Sequence, residues 1–136
     1  MLRFALLLPL VIVLGCGPPL INISGKVSYD GTPIEEGSIS FESPDGNSPS
    51  IGGRIDKGVY QLEKISVAFV GKKVVRIVAM LKTGKKIPAG PPFPPDKLID
   101  ETIKIPTRFN EKSTLSAEIS SGNLNQFDFI LSKQTP

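Results

Sequence analysis

Apolar and polar residues alternate in short runs along most of this chain, and a period of two is the pattern of strands that bury one face. Residues 21–29 show it first, with Ile21, Ile23, Gly25, Val27 and Tyr29 alternating with Asn22, Ser24, Lys26 and Ser28. Asp30-Gly31 marks a tight turn, residues 32–37 carry the chain over, and a second run at 38–42 points Ile39 and Phe41 inward. Residues 43–50 consist of Ser, Pro, Asp, Gly and Asn and read as a surface loop. Asp45-Gly46-Asn47 lacks the further acidic ligands and the closing Glu of a calcium loop, so an ordinary turn is expected there. Strands at 51–55 and 59–63, joined by Asp56-Lys57-Gly58, form a hairpin with Tyr60 and Leu62 on one face.

Residues 67–81 are the most apolar stretch after the leader, and their β-branched Val70, Val74, Val75, Ile77 and Val78 favour a strand over a helix. Apolar side chains on both sides of the alternation predict a strand at least partly covered on both faces. Residues 82–95 are expected to end regular structure, with the proline-rich run at 88–95 as an extended, polyproline-like loop. Residues 103–106 resume an extended path, and 107–112 make a short irregular crossing with Phe109 tucked in. The chain is predicted to close on a hairpin. Leu115, Ala117 and Ile119 face one way on its first strand, Ser121-Gly122-Asn123 turns, and Phe127, Phe129 and Leu131 face the same core from the second. About seven short strands separated by turn signals, with no long amphipathic helix, predict an all-β fold, an antiparallel β-sandwich of immunoglobulin-like or transthyretin-like type.

The first residues break this pattern. Met1-Leu2-Arg3 supplies a positive start and residues 4–14 are apolar without interruption, which suits a signal-peptide core and falls short of the roughly 20 residues of a membrane span. Val13-Leu14-Gly15-Cys16 resembles the lipobox of bacterial lipoproteins, in which the cysteine is lipidated and becomes the first residue of the mature chain. A secretory cut after Gly17 would fall directly before Pro18, and an uncleaved apolar tail of this length would anchor poorly. The lipobox reading divides the chain into a signal peptide at 1–15, with cleavage between Gly15 and Cys16, a lipidated cysteine and tether at 16–20, and a β-sandwich domain at 21–136. Cys16 is the one cysteine, so the chain forms no internal disulfide and is held by its core. Lipidation there also removes a lone exported thiol, and two or more acyl chains make a stable membrane anchor.

Charge and composition narrow the function. Without Arg3 there are fifteen basic against thirteen acidic residues, a mild excess and not the concentrated basic reading element of a nucleic-acid binder. Histidine and tryptophan are absent, which excludes histidine-based triads and His/Cys zinc sites within the chain. The adjacent carboxylates Glu35-Glu36 and Asp100-Glu101 point to opposite faces of an extended chain and read as solvated charges, not as a catalytic pair. Gly25-Lys26, Gly71-Lys72 and Gly84-Lys85 lack the upstream glycine or the following hydroxyl residue of a phosphate-cradling loop. No enzymatic activity, metal or cofactor is expected.

The runs 24–34, 37–41, 84–86, 105–115 and 125–129, among them Ser24-Gly25-Lys26-Val27 and Ile105-Pro106-Thr107-Arg108-Phe109-Asn110, resemble the small transthyretin-like lipoproteins of planctomycete-type bacteria. The likeness lapses at 65–71, where a Gly-x-Pro-Gly-type turn would be expected. It implies a prealbumin-like sandwich related to the regulatory domain of carboxypeptidases, and no reaction. The expected role is that of an envelope-anchored structural or protein-interaction module. Its expected partners are the membrane, through the lipid on Cys16, and an envelope protein or polysaccharide. A carbohydrate-binding role would want exposed aromatic platforms, whereas Tyr29 and Tyr60 fall on inward positions. An anionic-polymer role would draw on Lys72, Lys73, Lys85 and Lys86, within a span from Lys64 to Pro95 that holds no acidic residue. Lysines guarding an exposed strand edge are the alternative explanation of that asymmetry.

Overall fold

The computed structural model describes residues 15–122 and 124–134. Residues 1–14 of the expected signal peptide and Asn123 of the expected last turn lie outside the described residues. Among the described residues there are ten strands: β1 Leu20–Tyr29, β2 Thr32–Pro33, β3 Glu36–Glu42, β4 Ile51–Asp56, β5 Val59–Ser66, β6 Gly71–Pro88, β7 Leu98–Lys104, β8 Ser116–Ile119, β9 Leu124–Gln126 and β10 Phe129–Leu131. No α-helix occurs among the described residues. The sheet runs β10-β1-β5-β4-β3-β6-β7, with β2 and β9 also on β1 and β8 also on β6. Neighbours are antiparallel, except that β9 and β10 run parallel to β1.

The alternation read from the sequence does what it predicts in the first half. Ile21, Ile23 and Val27 of β1, Ile39 and Phe41 of β3, Ile55 of β4, Tyr60 and Leu62 of β5, and Val75 and Ile77 of β6 all turn into one core. Tyr29 stays half-buried, edge-on to Phe109 at 6.4 Å. Asp30-Gly31 and Lys57-Gly58 each place two consecutive residues at positive φ, as the two-residue hairpin turns between β1 and β2 and between β4 and β5 require. Gly25 is set by close approach. A Cβ there would lie 1.8 Å from the Phe127 carbonyl oxygen and 2.9 Å from the Tyr60 hydroxyl, which donates to that same carbonyl at 2.7 Å. Burial holds the Tyr60 hydroxyl well above the ordinary tyrosine range, with the nearby Asp128 carboxylate adding to the effect, so it remains a donor at neutral pH.

Four expectations are corrected. The strand expected at 67–81 begins only at Gly71, because the Ser66 hydroxyl accepts the Ala68 N–H at 3.2 Å and caps a 3₁₀ turn at Val67–Phe69. It then continues through 82–88, where regular structure was expected to end. Pairing with β7 sustains it, and the register shift between Lys82 and Lys86 absorbs the extra residues around Gly84. The proline run beyond it is a folded tip: Ala89 donates to Lys97 O, Phe93 to Gly90 O and Lys97 to Pro94 O, at 2.8, 3.0 and 3.0 Å.

The closing hairpin is absent as well. β8 lies on β6, whereas β9 and β10 lie on β1. Asn125 makes that crossing. Its buried side chain accepts from the Ser120 N–H at 2.8 Å and hydroxyl at 3.1 Å, and donates to the Ser120 and Gly122 carbonyls at 3.1 and 3.2 Å. A four-bond clasp satisfies the corner internally, so the chain passes from one edge of the sheet to the other and curls the sheet around its core. Phe129 and Leu131 are buried as expected, and Phe127 is half-buried.

Candidate functional site

Strand polarity decides what lies at each end of the molecule. β1 is antiparallel to β5, β5 to β4, β4 to β3 and β3 to β6, so β6 runs in the same direction as β1. Leu20 and Gly71 therefore begin at one end. Cys16 is exposed and free there, with residues 15–19 exposed and outside regular structure. At the other end β6 outruns β3, which stops pairing at Ala79, and continues with β7 alone as a two-stranded arm.

The arm has two dissimilar faces. The pairs Leu81↔Ile103 and Ile87↔Ile99 stand on one, while Lys82↔Thr102 and Lys86↔Asp100 stand on the other. Ile87, Phe93, Leu98, Ile99 and Ile103 are 37–56% exposed. Across the charged face Lys86 Nζ meets Asp100 Oδ1 at 2.6 Å, while Glu101, alternating to the isoleucine side, accepts from the Thr83 hydroxyl at 2.6 Å. The Lys86 hydrogen bond holds the Asp100 carboxyl below the usual range.

An open groove of about 1580 Å³ occupies the base of the arm. Val78, Met80, Leu81 and Ile103 give it an apolar lining, opposed by Tyr29 and Pro33. Gly37 permits its floor, since a Cβ there would lie 2.6 Å from the Val78 carbonyl and 2.9 Å from the Ala79 Cβ. Asp30, Glu35, Glu36 and Asp56 face Arg54, Lys57 and Lys82 around it. Glu35 bridges Lys82 and Glu36 bridges Arg54, each at 2.8 Å. The hydrogen bond that Lys82 donates to Glu35, then the charge of that carboxylate, raises the Lys82 ammonium above the ordinary lysine value. The adjacent carboxylates singled out in the sequence thus diverge to separate partners, an arrangement that supplies no acid/base pair. Among the described residues no group of three or more Cys, Asp or Glu is placed to hold a metal ion.

The four lysines considered for anionic binding fall into two distant places. Lys72 and Lys73 are at the foot of β6, and Lys85 and Lys86 are on the arm, twelve or more residues away or about 40 Å along an extended strand. Lys73 faces the core, 5% exposed, with Nζ donating to Ser43 Oγ at 3.1 Å. Lys72 and Lys85 are exposed. The structure does not bring the four together. The arm and its groove were not read from the sequence. Their signal was two stretches with apolar residues near both ends and polar centres, 80–88 and 98–104, on either side of the proline run, as the two legs of a hairpin would stand. Comparison of the chain with protein-family models, with curated proteins and with solved structures gives no match.

Proposed function

We propose that this chain is an envelope-anchored lipoprotein, held by lipid on Cys16, whose β domain serves without catalysis as a protein-interaction module. In this reading the curled sheet is a sandwich of the transthyretin-like kind, and the membrane and an envelope protein are its partners. The observation that carries it is polarity. The lipobox cysteine lies before the start of β1, and the arm leaves from the opposite end, so an anchor at Cys16 directs the arm away from the membrane. An isolated two-stranded hairpin is marginal in water, and this one exposes apolar side chains on an unpaired outer strand, the surface a partner would cover.

The anchor is tested by Cys16→Ser with fatty-acid labelling and membrane fractionation. Loss of label and release from the membrane fraction are expected, and undiminished label would overturn the lipoprotein reading. The module is tested by cross-linking on intact cells from a photoreactive residue at position 93, which should trap a protein neighbour that an arm-deleted chain does not.

A further inference from the structure

The arm carries a shaped tip, and the groove at its base is open to receive one. Phe93 is 56% exposed between two pairs of prolines, on a turn fixed by the three backbone hydrogen bonds from Ala89, Phe93 and Lys97. An aromatic apex on a preorganised turn loses little entropy on binding and is the side-chain type that dominates interface energetics. The groove matches it in kind, with Val78 and Met80 about half exposed on its floor. Their charges are opposite. Beyond the ion pairs already described, residues 84–98 keep Lys85 and Lys97 against Asp96, whereas the groove keeps Asp30 and Asp56 against Lys57.

A chain cannot fill its own groove. Pro88 lies seven residues beyond Leu81 along β6, about 20 Å on an extended strand, and Phe93 is beyond that. We propose that the proline-rich tip seats in the groove at the arm base of a second copy of this chain, and that the exchange is reciprocal. Two arms laid antiparallel carry each Phe93 to the other's arm base. A surface that contains both a knob and its complement closes as a two-fold pair when the arms are antiparallel. This names the partner of the arm, and so rests on the interaction-module reading while leaving the lipid anchor aside.

The test uses the full-length chain in detergent micelles, with benzoylphenylalanine at position 93 and a mixture of light and ¹⁵N-labelled copies. Photo-cross-links from residue 93 to residues 78–82 or 32–37 should appear as light–heavy hybrids, which only contact between copies produces. Sedimentation should show a dimer, and Phe93→Asp or Met80→Asp should each weaken it at least tenfold. Both side chains are about half exposed, so unchanged far-UV circular dichroism is expected to accompany that loss. A monomer at concentrations up to about 100 μM, the weak end of specific association, would overturn self-pairing, as would cross-links confined to one copy. Cross-links in intact cells to a different protein would also overturn it while sustaining the interaction module, and loss of every arm-dependent neighbour would remove both.

Discussion

The body and the arm are built from the same kind of strand and held by different forces. In the body each inward side chain of β3 and β5 packs into a common core, and Phe41 and Tyr60 are fully buried with ring centroids 6.0 Å apart. In the arm only Leu81 and Glu101 are half-buried on the paired strands beyond Met80 and Lys104. Ladder hydrogen bonds, the apolar cross-strand pairs Leu81↔Ile103, Ile87↔Ile99 and Pro88↔Leu98, the Thr83–Glu101 hydrogen bond and the exposed ion pairs of Lys86 and Lys82 are what it has. An exposed pair such as Lys86–Asp100 stabilises little. Burial therefore specifies the body, and pairing around a rigid turn specifies the arm. The body's inner face is spent on its own fold, while the arm's surface is left for something else.

The sharpest break between the two regions is a truncation in each. Phe41→Ala should cost about 3–5 kcal/mol in urea denaturation, while Ile99→Ala should cost less than about 0.5 kcal/mol in the isolated copy. Comparable losses would mean that the arm folds back on the core and that its exposure is wrong.

A smaller contrast comes from two glycines. Gly25→Ala drives a methyl group against the Phe127 carbonyl and the Tyr60 hydroxyl, and overpacking of that kind costs roughly 1–3 kcal/mol of global stability. Gly84 has φ +84° with nothing within 4 Å of a Cβ, so Gly84→Ala meets only the left-handed backbone, about 1 kcal/mol, localised to the arm. Amide hydrogen exchange separates them: the first should speed exchange throughout β1, β5 and β10, the second only within β6 and β7 beyond Met80. Global loss of protection in the Gly84 variant would merge the two regions into one folding unit.

What was legible in the sequence follows the same division. Strands that bury one face print a period of two, so β1, β3 and β5 with their inward residues, the strand β4 and both hairpin turns could be read directly. The arm prints a weaker signal, because neither face is buried and its lysines and prolines look like the end of a strand. The closing hairpin misled for another reason. Residues 115–119 and 127–131 alternate as hairpin partners would, but alternation gives a face and not a neighbour. The buried amide of Asn125, which sends the two segments to opposite edges, looks in sequence like any polar loop residue. Of the candidate site, Glu35, Glu36 and Asp100 read as solvated charges and are exposed, whereas Glu101 is half-buried. Their partners Lys82, Arg54 and Lys86 are long-range and left no trace in local spacing.

The smallest expected effect concerns the lysines, which bridge the comparison because two lie at the foot of the body strand and two on the arm. Binding to an anionic surface would require several of them to approach it together, each adding on the order of 1 kcal/mol. Their separation along β6, about 40 Å, is several times the Debye length of about 8 Å at physiological salt, so the two pairs are electrostatically independent. Lys73 is turned inward toward Ser43, and Lys86 already meets Asp100. Changing Lys72, Lys85 and Lys86 to glutamine should therefore leave co-sedimentation with anionic vesicles, and retention on acidic polysaccharide, unchanged within about twofold at 0.15 M salt. Lys73 is kept out of that set because its removal would alter the core. Salt-sensitive binding that vanishes in the triple variant and survives in Lys72→Gln alone would show that the arm's charged face, and not its isoleucine face and Phe93 tip, is the surface that binds.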